Sequence, residues 1–409
     1  MKSLTSPSDL RAGNLRVVLD AAWGSDAVTG SELMARTGLT RTTIHEVCEE
    51  LTALGWLHEL DSRRTPEAGG RGRPSRRYAF SARAGGVIGV DAGSHHLRVA
   101  LADLNGTLLE RVDAELAGDD QDPAERRSAV LAAVQRLRTA AAGSVNHVLR
   151  IVIGIPAAVD SEGNNPAPSN AFWERMNAGL GPWLSDATHV PTTIENDANL
   201  AALAEFELGG VGDLAHQVTI LAGLRIGVGI VDGGKIVRGR HGRAGEMRYL
   251  ELVQGVGTAT GVAAIVLALA VEALDRDPAR ASVLRLTEPH TPSVPEILAA
   301  AMAGDDIARE VVANVGGRLA RTVATLVSIL DPEVVTIAGG ISEAAGAIVD
   351  VVRHDLPAYL DQPLPEVHAS VLGEDVVLLG AIRQGLRLVR RGAPTLGSSV
   401  EQVGTAPPR

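Results

Sequence analysis

The sequence predicts an α/β protein in which an N-terminal winged helix-turn-helix precedes a duplicated α/β domain with a cleft between its halves. Three observations predict this. Two capped helical patterns precede a basic, glycine-rich stretch, the order meander, helix, strand occurs twice after residue 86, and glycine-rich loops follow several strands. A chain of 409 residues is long enough for two or three domains. We expect a DNA-binding domain at 1–83, a ligand-binding domain of two lobes at 84–392 and a disordered tail at 393–409.

The composition is that of a globular protein. Apolar residues make up 45% of the chain and charged residues 21%, which excludes wholesale disorder. No apolar run is long enough to span a membrane, and residues 1–20 lack the apolar core of a signal peptide. The single cysteine, Cys48, excludes a disulfide framework and a zinc site built from cysteines. We therefore expect a cytoplasmic protein without membrane contact.

The charge is distributed unevenly along the chain. The net charge is -11, but residues 1–83 carry 12 Lys and Arg against 10 Asp and Glu, a net of +2. Within this part, residues 63–83 contain seven arginines and one acid, Glu67. A local charge of +6 in an acidic protein indicates an element that faces phosphate groups.

The first elements form a predicted helix-turn-helix. An apolar stripe predicts a helix over 12–22, and Thr29-Gly30-Ser31-Glu32 fits a capping box that opens a helix over Ser31–Thr37. Gly38 ends that helix, and the next runs over Arg41–Leu54. Two short helices around a turn that contains glycine are typical of this motif.

The start of the second helix of this pair carries the residues expected to contact DNA. Recognition helices place their N-terminal side chains against base edges in the major groove. The candidates here are Thr40, which also caps the helix, and Arg41, Thr42, Thr43 and His45. An ordinary helical hairpin with an exposed polar end would have the same local pattern, so the pair alone leaves both interpretations open.

The following segment favours the DNA-binding interpretation. Trp56–Leu60 and Arg77–Phe80 alternate as two strands and are joined by the basic stretch, which describes a wing. Gly70-Arg71-Gly72-Arg73-Pro74 matches the core of an AT-hook, in which Arg71 and Arg73 would enter a narrow minor groove. The alternative is a flexible basic linker.

The remaining chain predicts one α/β unit twice. The first copy comprises strands at Val87–Val90, Leu97–Asp103 and Thr107–Ala114, a helix that starts at Pro123 after the cap Asp122, and a buried strand at Val148–Ile155. The second comprises strands at Gln217–Ala222, Ile226–Val231 and Lys235–Arg238, a helix at about 307–330, and the strand Val334–Ala338. Two such units place a cleft between them, lined by loops that suit phosphate groups.

Six motifs together resemble one family. They are Gly38-Leu39-Thr40-Arg41, Gly70-Arg71-Gly72-Arg73-Pro74, Gly89-Val90-Asp91-Ala92-Gly93, Glu195-Asn196-Asp197-Ala198-Asn199, Gly242-Arg243-Ala244-Gly245-Glu246 and Ala338-Gly339-Gly340-Ile341-Ser342. From about residue 10 to 392 the chain resembles the ROK family of repressors and sugar kinases. The resemblance implies a duplicated actin-like (ribonuclease H-like) sugar-kinase fold, with a winged helix-turn-helix before it as in the repressors.

The resemblance also implies the ligand-binding residues. Asp197 matches the family's catalytic base, which takes a proton from the sugar hydroxyl, and Asn196 would hydrogen-bond the sugar. Glu246 would accept bonds from two sugar hydroxyls, Asn170 matches a further sugar contact, and Tyr249 would bond a hydroxyl. Structural alternatives remain open, since Asn and Asp also cap helices and a tyrosine at 249 also suits a core.

The phosphate-binding loops depart from the family pattern. Ser94 and His95 replace the second Gly and the Thr of the first loop, and the second loop reads Gly223-Leu224-Arg225 in place of Gly-Thr-Gly. Bulky side chains there block the approach of backbone amides to phosphate, which disfavours ATP binding and leaves Asp197 a vestigial base. Tyr249 stands where zinc-binding members have a histidine, so we expect neither a metal nor a cofactor.

These observations lead to one preferred function and two alternatives. The preferred function is a DNA-binding transcriptional regulator, a repressor that senses a carbohydrate or derivative and releases its double-stranded DNA operator. The small and apolar residues of the helix at 307–330 suggest a homodimer or homotetramer. The first alternative is an active ATP-dependent sugar kinase that also binds DNA, and the second is a regulator that has lost its ligand and answers a protein partner.

Overall fold

The computed structural model describes residues 7–61, 76–166, 170–212, 214–223, 225–258, 260–287, 292–339 and 345–400. The Gly70–Pro74 segment, Leu224 and residues 340–342 therefore lie outside the described residues, as do the predictions made for them.

The N-terminal domain contains three helices and a small sheet. Its elements are α1 (Pro7–Ala22), β1 (Val28–Thr29), α2 (Gly30–Thr37), α3 (Arg41–Ala53), β2 (Leu57–Leu60) and β3 (Arg77–Phe80). Strand β3 is central, with β1 and β2 paired antiparallel on its two sides. Helix α1 begins at Pro7, ahead of the predicted start at residue 12, and β1 was not predicted because two residues are too few for an alternating pattern.

The predicted caps of the two short helices are confirmed. Glu32 Oε2 accepts a bond from the Thr29 backbone N–H at 2.7 Å, and Thr29 Oγ1 accepts one from the Glu32 N–H, which completes the capping box. Gly38 adopts a left-handed conformation with φ of 72° after α2, as its position at a helix end predicts. Helix α3 buries Ile44, Val47, Cys48 and Leu51 on one face.

Two lobes with the same sheet topology follow. The strands of lobe 1 are β4 (Gly86–Ala92), β5 (His96–Asp103), β6 (Leu108–Glu115), β7 (Val148–Ile155) and β8 (Thr192–Asn196); those of lobe 2 are β9 (His216–Ala222), β10 (Ile226–Asp232), β11 (Lys235–Ile236), β12 (Val334–Ala338) and β13 (Glu366–Ala369). Their orders are β6-β5-β4-β7-β8 and β11-β10-β9-β12-β13. Each lobe thus has an antiparallel meander followed by two parallel strands, which confirms the predicted duplication.

Helices cover the sheets and separate the lobes. They are α4 (Pro123–Ala140), α5 (Ala171–Asn177), α6 (Leu180–Thr188), α7 (Asp197–Leu208), α8 (Val262–Arg276), α9 (Val294–Met302), α10 (Asp306–Leu330), α11 (Gly346–Asp355) and α12 (Val376–Val400). The buried side chains of α10 belong to the core of lobe 2. The apolar stripe from which we inferred a subunit contact therefore fills this core.

Helices α7 and α12 lie together between the two sheets. Residues of both helices share a buried cluster with Val152 of β7, Leu221 of β9 and Ala338 of β12. A Cβ built on Gly380 of α12 would lie 2.0 Å from the Leu200 carbonyl oxygen of α7, so the two backbones touch where only glycine fits. Helix α12 also continues to residue 400, so it includes the first part of the segment expected to be a disordered tail.

No helix among the described residues is both long enough and apolar enough to cross a bilayer.

Candidate functional site

A cleft of about 1220 Å³ separates lobe 1 from lobe 2. Four of the five residues proposed to bind a ligand line it: Asn170, Asn196, Asp197 and Glu246. Tyr249 does not belong to the lining, and 63% of its surface is exposed. Both interpretations offered for Tyr249, a sugar contact and a core tyrosine, therefore disagree with its position.

The junction of β8 and α7 places Asn196 and Asp197 at the cleft. Asn196 caps α7, because its Oδ1 accepts the Asn199 backbone N–H at 3.0 Å, and its Nδ2 donates to the Ala157 carbonyl at 3.2 Å. Asp197 opens the helix, and its Oδ1 accepts the Ala198 N–H at 2.8 Å. Both residues thus perform the predicted capping role while they also line the cleft.

The carboxyl groups of the cleft resist ionisation. The pKa of Asp197 is raised to about 8, chiefly by burial; the bond from the Ala198 N–H opposes the rise, and the negative charges of Asp91 and Glu246 contribute to it. The cleft walls also raise the pKa of Glu246 by desolvation, against the opposing charge of Arg243, although part of the residue is exposed to solvent. Polar groups held at such a cost in a cleft are typical of a binding site, where a hydroxyl-rich ligand supplies the missing hydrogen bonds.

Glu195, beside these residues, is buried and holds them in place. Its Oε1 accepts bonds from the Asn196 N–H at 3.1 Å and from Asn199 Nδ2 at 3.0 Å. Its Oε2 accepts a bond from Arg238 Nε at 2.8 Å and a second from the same guanidinium. Arg238 follows β11 in lobe 2, so this ion pair connects the lobes directly beside the cleft. Glu195 belongs to one of the sequence motifs, whereas no sequence pattern indicated a role for Arg238.

The backbone of lobe 2 brings Glu246 to the cleft through a close contact at Gly245. Gly245 has φ of 83°, and a Cβ there would lie 1.8 Å from the Val228 carbonyl oxygen of β10. Only glycine permits this approach. In the Gly245-Glu246 pair of the predicted motif, the glycine therefore permits the close backbone contact and the glutamate provides a carboxylate at the cleft.

Asn170 lies on the wall formed by lobe 1 and caps α5, accepting the Trp173 N–H at 3.2 Å through its Oδ1. The structure thus brings a predicted residue to the cleft wall, where capping and ligand binding are compatible.

Protein side chains occupy the end of the cleft at the first glycine-rich loop. A Cβ built on Gly93 would lie 2.3 Å from Cε1 of His96, so the imidazole ring covers the loop backbone. His96 Nε2 lies 2.9 Å from Oδ2 of the buried Asp91, which also accepts a bond from Arg98 at 3.3 Å. Arg98 in turn binds Glu374 at 2.5 Å. The loop that would receive phosphate groups is therefore covered, and its carboxylate is already paired.

Arg126 holds the backbone of this loop through hydrogen bonds. It is fully buried in α4 and donates to the carbonyls of Ala92 at 2.5 Å, Gly93 at 3.0 Å and Met176 at 3.1 Å. Burial lowers its pKa to about 10. Sequence reasoning missed Arg126, although position 126 falls on the buried stripe of the helix, where an arginine is unusual.

Arg225 of the second loop is engaged by residues of lobe 1. Its guanidinium crosses from lobe 2 to stack over the Phe172 ring at 4.0 Å and to donate to Asp119 Oδ2 of lobe 1 at 3.4 Å. Burial would raise the pKa of Asp119, but hydrogen bonds from Ser94 and Arg225 hold it below its ordinary value. The residue that departs from the family pattern thus connects the two walls.

Among the described residues, no group of three His, Cys, Asp or Glu side chains is arranged to hold a metal ion.

A second candidate surface lies on α3. Thr40 caps this helix, and its Oγ1 accepts the Thr43 N–H at 3.3 Å. Arg41, Thr42 and His45 are exposed, and His45 lies 3.4 Å from Glu49 one turn later. Arg71 and Arg73 lie outside the described residues.

Comparison with known proteins relates most of the chain to one family. The model of the ROK family matches residues 87–383. A crystal structure of a ROK family transcriptional regulator, a homologue of the E. coli Mlc protein, has a TM-score of 0.71 and 24% identity, and the match covers 93% of this chain and 98% of that one. The DNA-binding transcriptional dual regulator NagC of Escherichia coli is 23% identical over 87% of this chain and 90% of its own length. A glucokinase of Halalkalibacterium halodurans is 25% identical over 72% of this chain and 92% of its own length.

Proposed function

This chain belongs to the ROK family, and from that premise we propose that it is a DNA-binding transcriptional repressor whose cleft senses a carbohydrate or carbohydrate derivative. The carbohydrate binds one conformation of the protein more tightly than the other. Its binding therefore shifts the population away from the conformation that binds DNA, and the operator is released.

Helices α2 and α3 support the DNA-binding half of the proposal. Two short helices meet at Gly38, and the start of the second is exposed and carries Arg41, Thr42 and His45. The three-stranded sheet β1-β3-β2 that follows them along the chain supports the proposal that this part of the chain is a winged helix-turn-helix. The two regulators match a larger share of this chain than the glucokinase does, which agrees with a role for the N-terminal domain.

The covered phosphate loop is the observation that carries the sensor half of the proposal. Phosphoryl transfer depends on positioning the phosphates and stabilising their charge. The His96 ring lies on Gly93, and Arg225 is committed to Asp119 and Phe172. The sugar end keeps Asn196, Asp197 and Glu246, whose oxygens suit ring hydroxyls. A cleft that keeps these polar residues at one end and covers its phosphate loop at the other binds a carbohydrate without a nucleotide.

DNA binding is tested by selecting sequences from random and genomic duplexes with the full-length protein. Arg41→Ala is expected to weaken operator binding by about 1–3 kcal/mol and to relax specificity at one position. Arg16→Ala is the matched control, since Arg16 is an exposed arginine of α1 in the same domain. Equal affinities of the two variants would show that α3 is not the reading surface.

Carbohydrate sensing is tested by thermal shift with glucose, N-acetylglucosamine, their 6-phosphates and xylose, each with and without ATP. A compound at about 100 times its Kd stabilises the folded state by about 2.7 kcal/mol. Asp197→Ala and Glu246→Ala are expected to abolish the shift and operator release while they preserve operator affinity without sugar. Asp186→Ala, at an exposed carboxylate of α6, is the control. Wild-type release by both cleft variants would contradict the assigned site.

We also propose that two or four copies assemble. Large apolar residues are exposed on lobe 2, among them Leu252 (80%), Met302 (74%) and Ile329 (73%). Such residues suit packing against a second copy. Light scattering of the purified chain checks this, and a monomer at micromolar concentration would contradict it.

An active sugar kinase is the second candidate function. It is favoured by Asp197, which stands at the position of the family's base and whose raised pKa suits a general base near neutral pH. A coupled assay with ATP, Mg²⁺ and the same sugars distinguishes the two functions. Sugar-dependent ATP consumption that disappears in Asp197→Asn would establish the kinase.

A further inference from the structure

One hydrophobic core joins the N-terminal domain to lobe 1 and α12. Residues 81–85 alone separate β3 from β4, and the cluster that fills the N-terminal domain continues into both neighbours. Because these side chains exclude water together, the surfaces on the two sides of the junction keep a fixed position relative to each other. The members of the cluster include Leu15, Leu19, Trp56 and Phe80 from the N-terminal domain, Val87, Ala100 and Leu104 from lobe 1, and Ile382, Leu386, Val389 and Ala393 from α12.

A pocket of about 480 Å³ opens at the edge of this junction and shares no lining residue with the cleft between the lobes. Four separate parts of the chain form its walls: the residues that follow α1 together with the end of α1, the turn between β5 and β6, α7, and α12. Pockets that hold small molecules commonly measure about 300–1,000 Å³. The pocket therefore has room for a small organic molecule, which would touch both sides of the junction.

Three arginines of α12 dominate the charge of this pocket. Arg383, Arg387 and Arg390 all line it, and their spacing of four and three residues places them on one face of the helix. Among the described residues, Glu207 of α7 is the one acid in the lining, and Asp20 of α1 pairs with Arg390 at 2.7 Å. Three positive charges against two negative charges leave an excess of one positive charge, in a chain whose net charge is -11.

The ion pairs of these arginines use only part of their hydrogen-bonding capacity. Arg387 donates through Nε to Glu207 at 2.5 Å and through Nη1 to the Gly234 carbonyl at 3.2 Å. Arg383 Nε lies 3.4 Å from the same Glu207, and no hydrogen bond among the described residues uses its Nη1 or Nη2. A guanidinium has five N–H donors, so both side chains keep donors for a further acceptor.

The opposite wall adds an amide and an aromatic ring. A Cβ built on Gly24 would lie 3.8 Å from Asn105 Oδ1, so the Asn105 side chain faces the residues after α1 across the pocket. No hydrogen bond between described residues engages this amide, whose Nδ2 is a donor. Trp23 is partly exposed, and its ring centroids with Phe80 lie 4.6 Å apart, which fixes the ring in the wall. The lining thus combines N–H donors with one apolar surface.

We propose that this pocket binds a small anion whose carboxylate or phosphate oxygens accept hydrogen bonds from Arg383, Arg387 and Asn105. A guanidinium presents paired N–H donors that match the oxygens of either group. The ligand balances the excess positive charge, and its remaining atoms lie against Trp23. The site is separate from the cleft, so the proposal goes beyond the proposed function and does not depend on it.

Calorimetric titration of the full-length chain tests the proposal with four probes: acetate, benzoate, inorganic phosphate and phenyl phosphate. Sodium chloride at the same ionic strength is the control for screening. Benzoate and phenyl phosphate differ in the charged group, whereas each differs from its smaller counterpart by a ring that reaches Trp23. At least one probe is expected to bind with a Kd of about 1 mM or lower. Absence of binding for all four would overturn the proposal.

Arg383→Gln is expected to weaken binding of that probe by about tenfold or more, because hydrogen bonds to a charged group are lost. Arg276→Gln is the matched control, since Arg276 is a helix arginine that also pairs with a glutamate, Glu272, at 2.9 Å. Its affinity for the probe should equal that of the wild type. Equal weakening by the two substitutions would show that ions bind the protein surface without a site, which would overturn the proposal.

Glu207→Gln is expected to have the opposite effect and covers the case in which Arg383→Gln fails to fold. The substitution removes a negative charge beside the proposed anion and frees Arg387 Nε, so affinity should rise by about fourfold or more. A lower or unchanged affinity in Glu207→Gln would overturn the proposal. Neither outcome bears on carbohydrate sensing or operator binding, because the titrations use no sugar and no DNA.

Discussion

Asp197→Asn is expected to make the ligand-free protein more stable, by an amount that grows with pH. Burial raises the pKa of Asp197 to about 8, whereas in the unfolded chain an aspartate titrates near about 4. Between these values the folded chain keeps a proton that the unfolded chain has lost. The free energy of unfolding therefore falls as the pH rises from about 4 to about 8. Asparagine carries no charge and removes this loss.

The magnitude follows from the difference between the two pKa values. At about 1.4 kcal/mol per pKa unit, the loss at neutral pH has a ceiling of about 4 kcal/mol. Water in the cleft reaches part of residue 197, so solvent screening reduces the expected gain to about 2 kcal/mol. The asparagine Oδ1 still accepts the Ala198 N–H that Asp197 accepts at 2.8 Å, so the helix start is preserved.

Urea unfolding followed by tryptophan fluorescence at about pH 5 and about pH 8 measures the effect. The asparagine variant should gain more over the wild type at the higher pH. Asp186→Asn, at an exposed carboxylate of α6, should show no gain that depends on pH. A variant no more stable than the wild type at the higher pH would refute the argument that burial of this carboxyl group is costly.

Three further outcomes are expected. Sugar affinity measured by calorimetry should rise with pH through the pKa of Asp197, since hydroxyls bond the ionised form more strongly, and a flat profile would contradict this. Gly380→Ala should lower the free energy of unfolding in urea by roughly 1–3 kcal/mol, because its Cβ would meet the α7 backbone. Gly13→Ala in α1, which has open space around it, should raise the free energy of unfolding by roughly 0.5–1 kcal/mol. Equal effects of the two substitutions would refute the close packing of α12 on α7. Ser370→Ala should cost about 1–3 kcal/mol of unfolding free energy by removing a hydrogen bond to the buried Glu205. The cost should be larger at higher pH, because burial already raises the pKa of Glu205. An unchanged stability would show that water replaces the serine.

Local patterns predicted the elements whose ends are set by neighbouring residues. The caps at Thr29, Thr40 and Asp122 each accept a backbone N–H from the first turn of the helix that follows, and those helices begin at or next to the predicted residue. Helix α12 was not predicted, although its buried residues Leu378, Ile382, Leu386 and Val389 recur at the spacing of one helix face. Local spacing does not show, however, that this face packs on partners such as Leu19 and Val87, which lie far earlier in the chain. The sequence holds no local sign of such contacts.

The candidate site was predictable in its residues more than in its geometry. Motif positions placed Asn196, Asp197 and Glu246 on one cleft. The assignment of Tyr249 disagrees with its exposed position, because it rested only on the place where zinc-binding family members have a histidine. The roles of His96 and Arg126 depend on where their side chains lie in three dimensions. Spacing along the chain does not contain that information.

The hydrophobic core that the N-terminal domain shares with lobe 1 and α12 also determines when that domain is complete during synthesis. Its first helices leave the ribosome early, yet the core that contains Leu15 and Leu19 also contains Val389 and Ala393, which are made almost last. Contacts that join the two ends of a chain form late and leave apolar surface open to solvent until then. A chain that stops before α12 would therefore contain α3, the proposed recognition helix, without the core that supports it. Under the proposed function, only nearly complete copies would then compete for an operator.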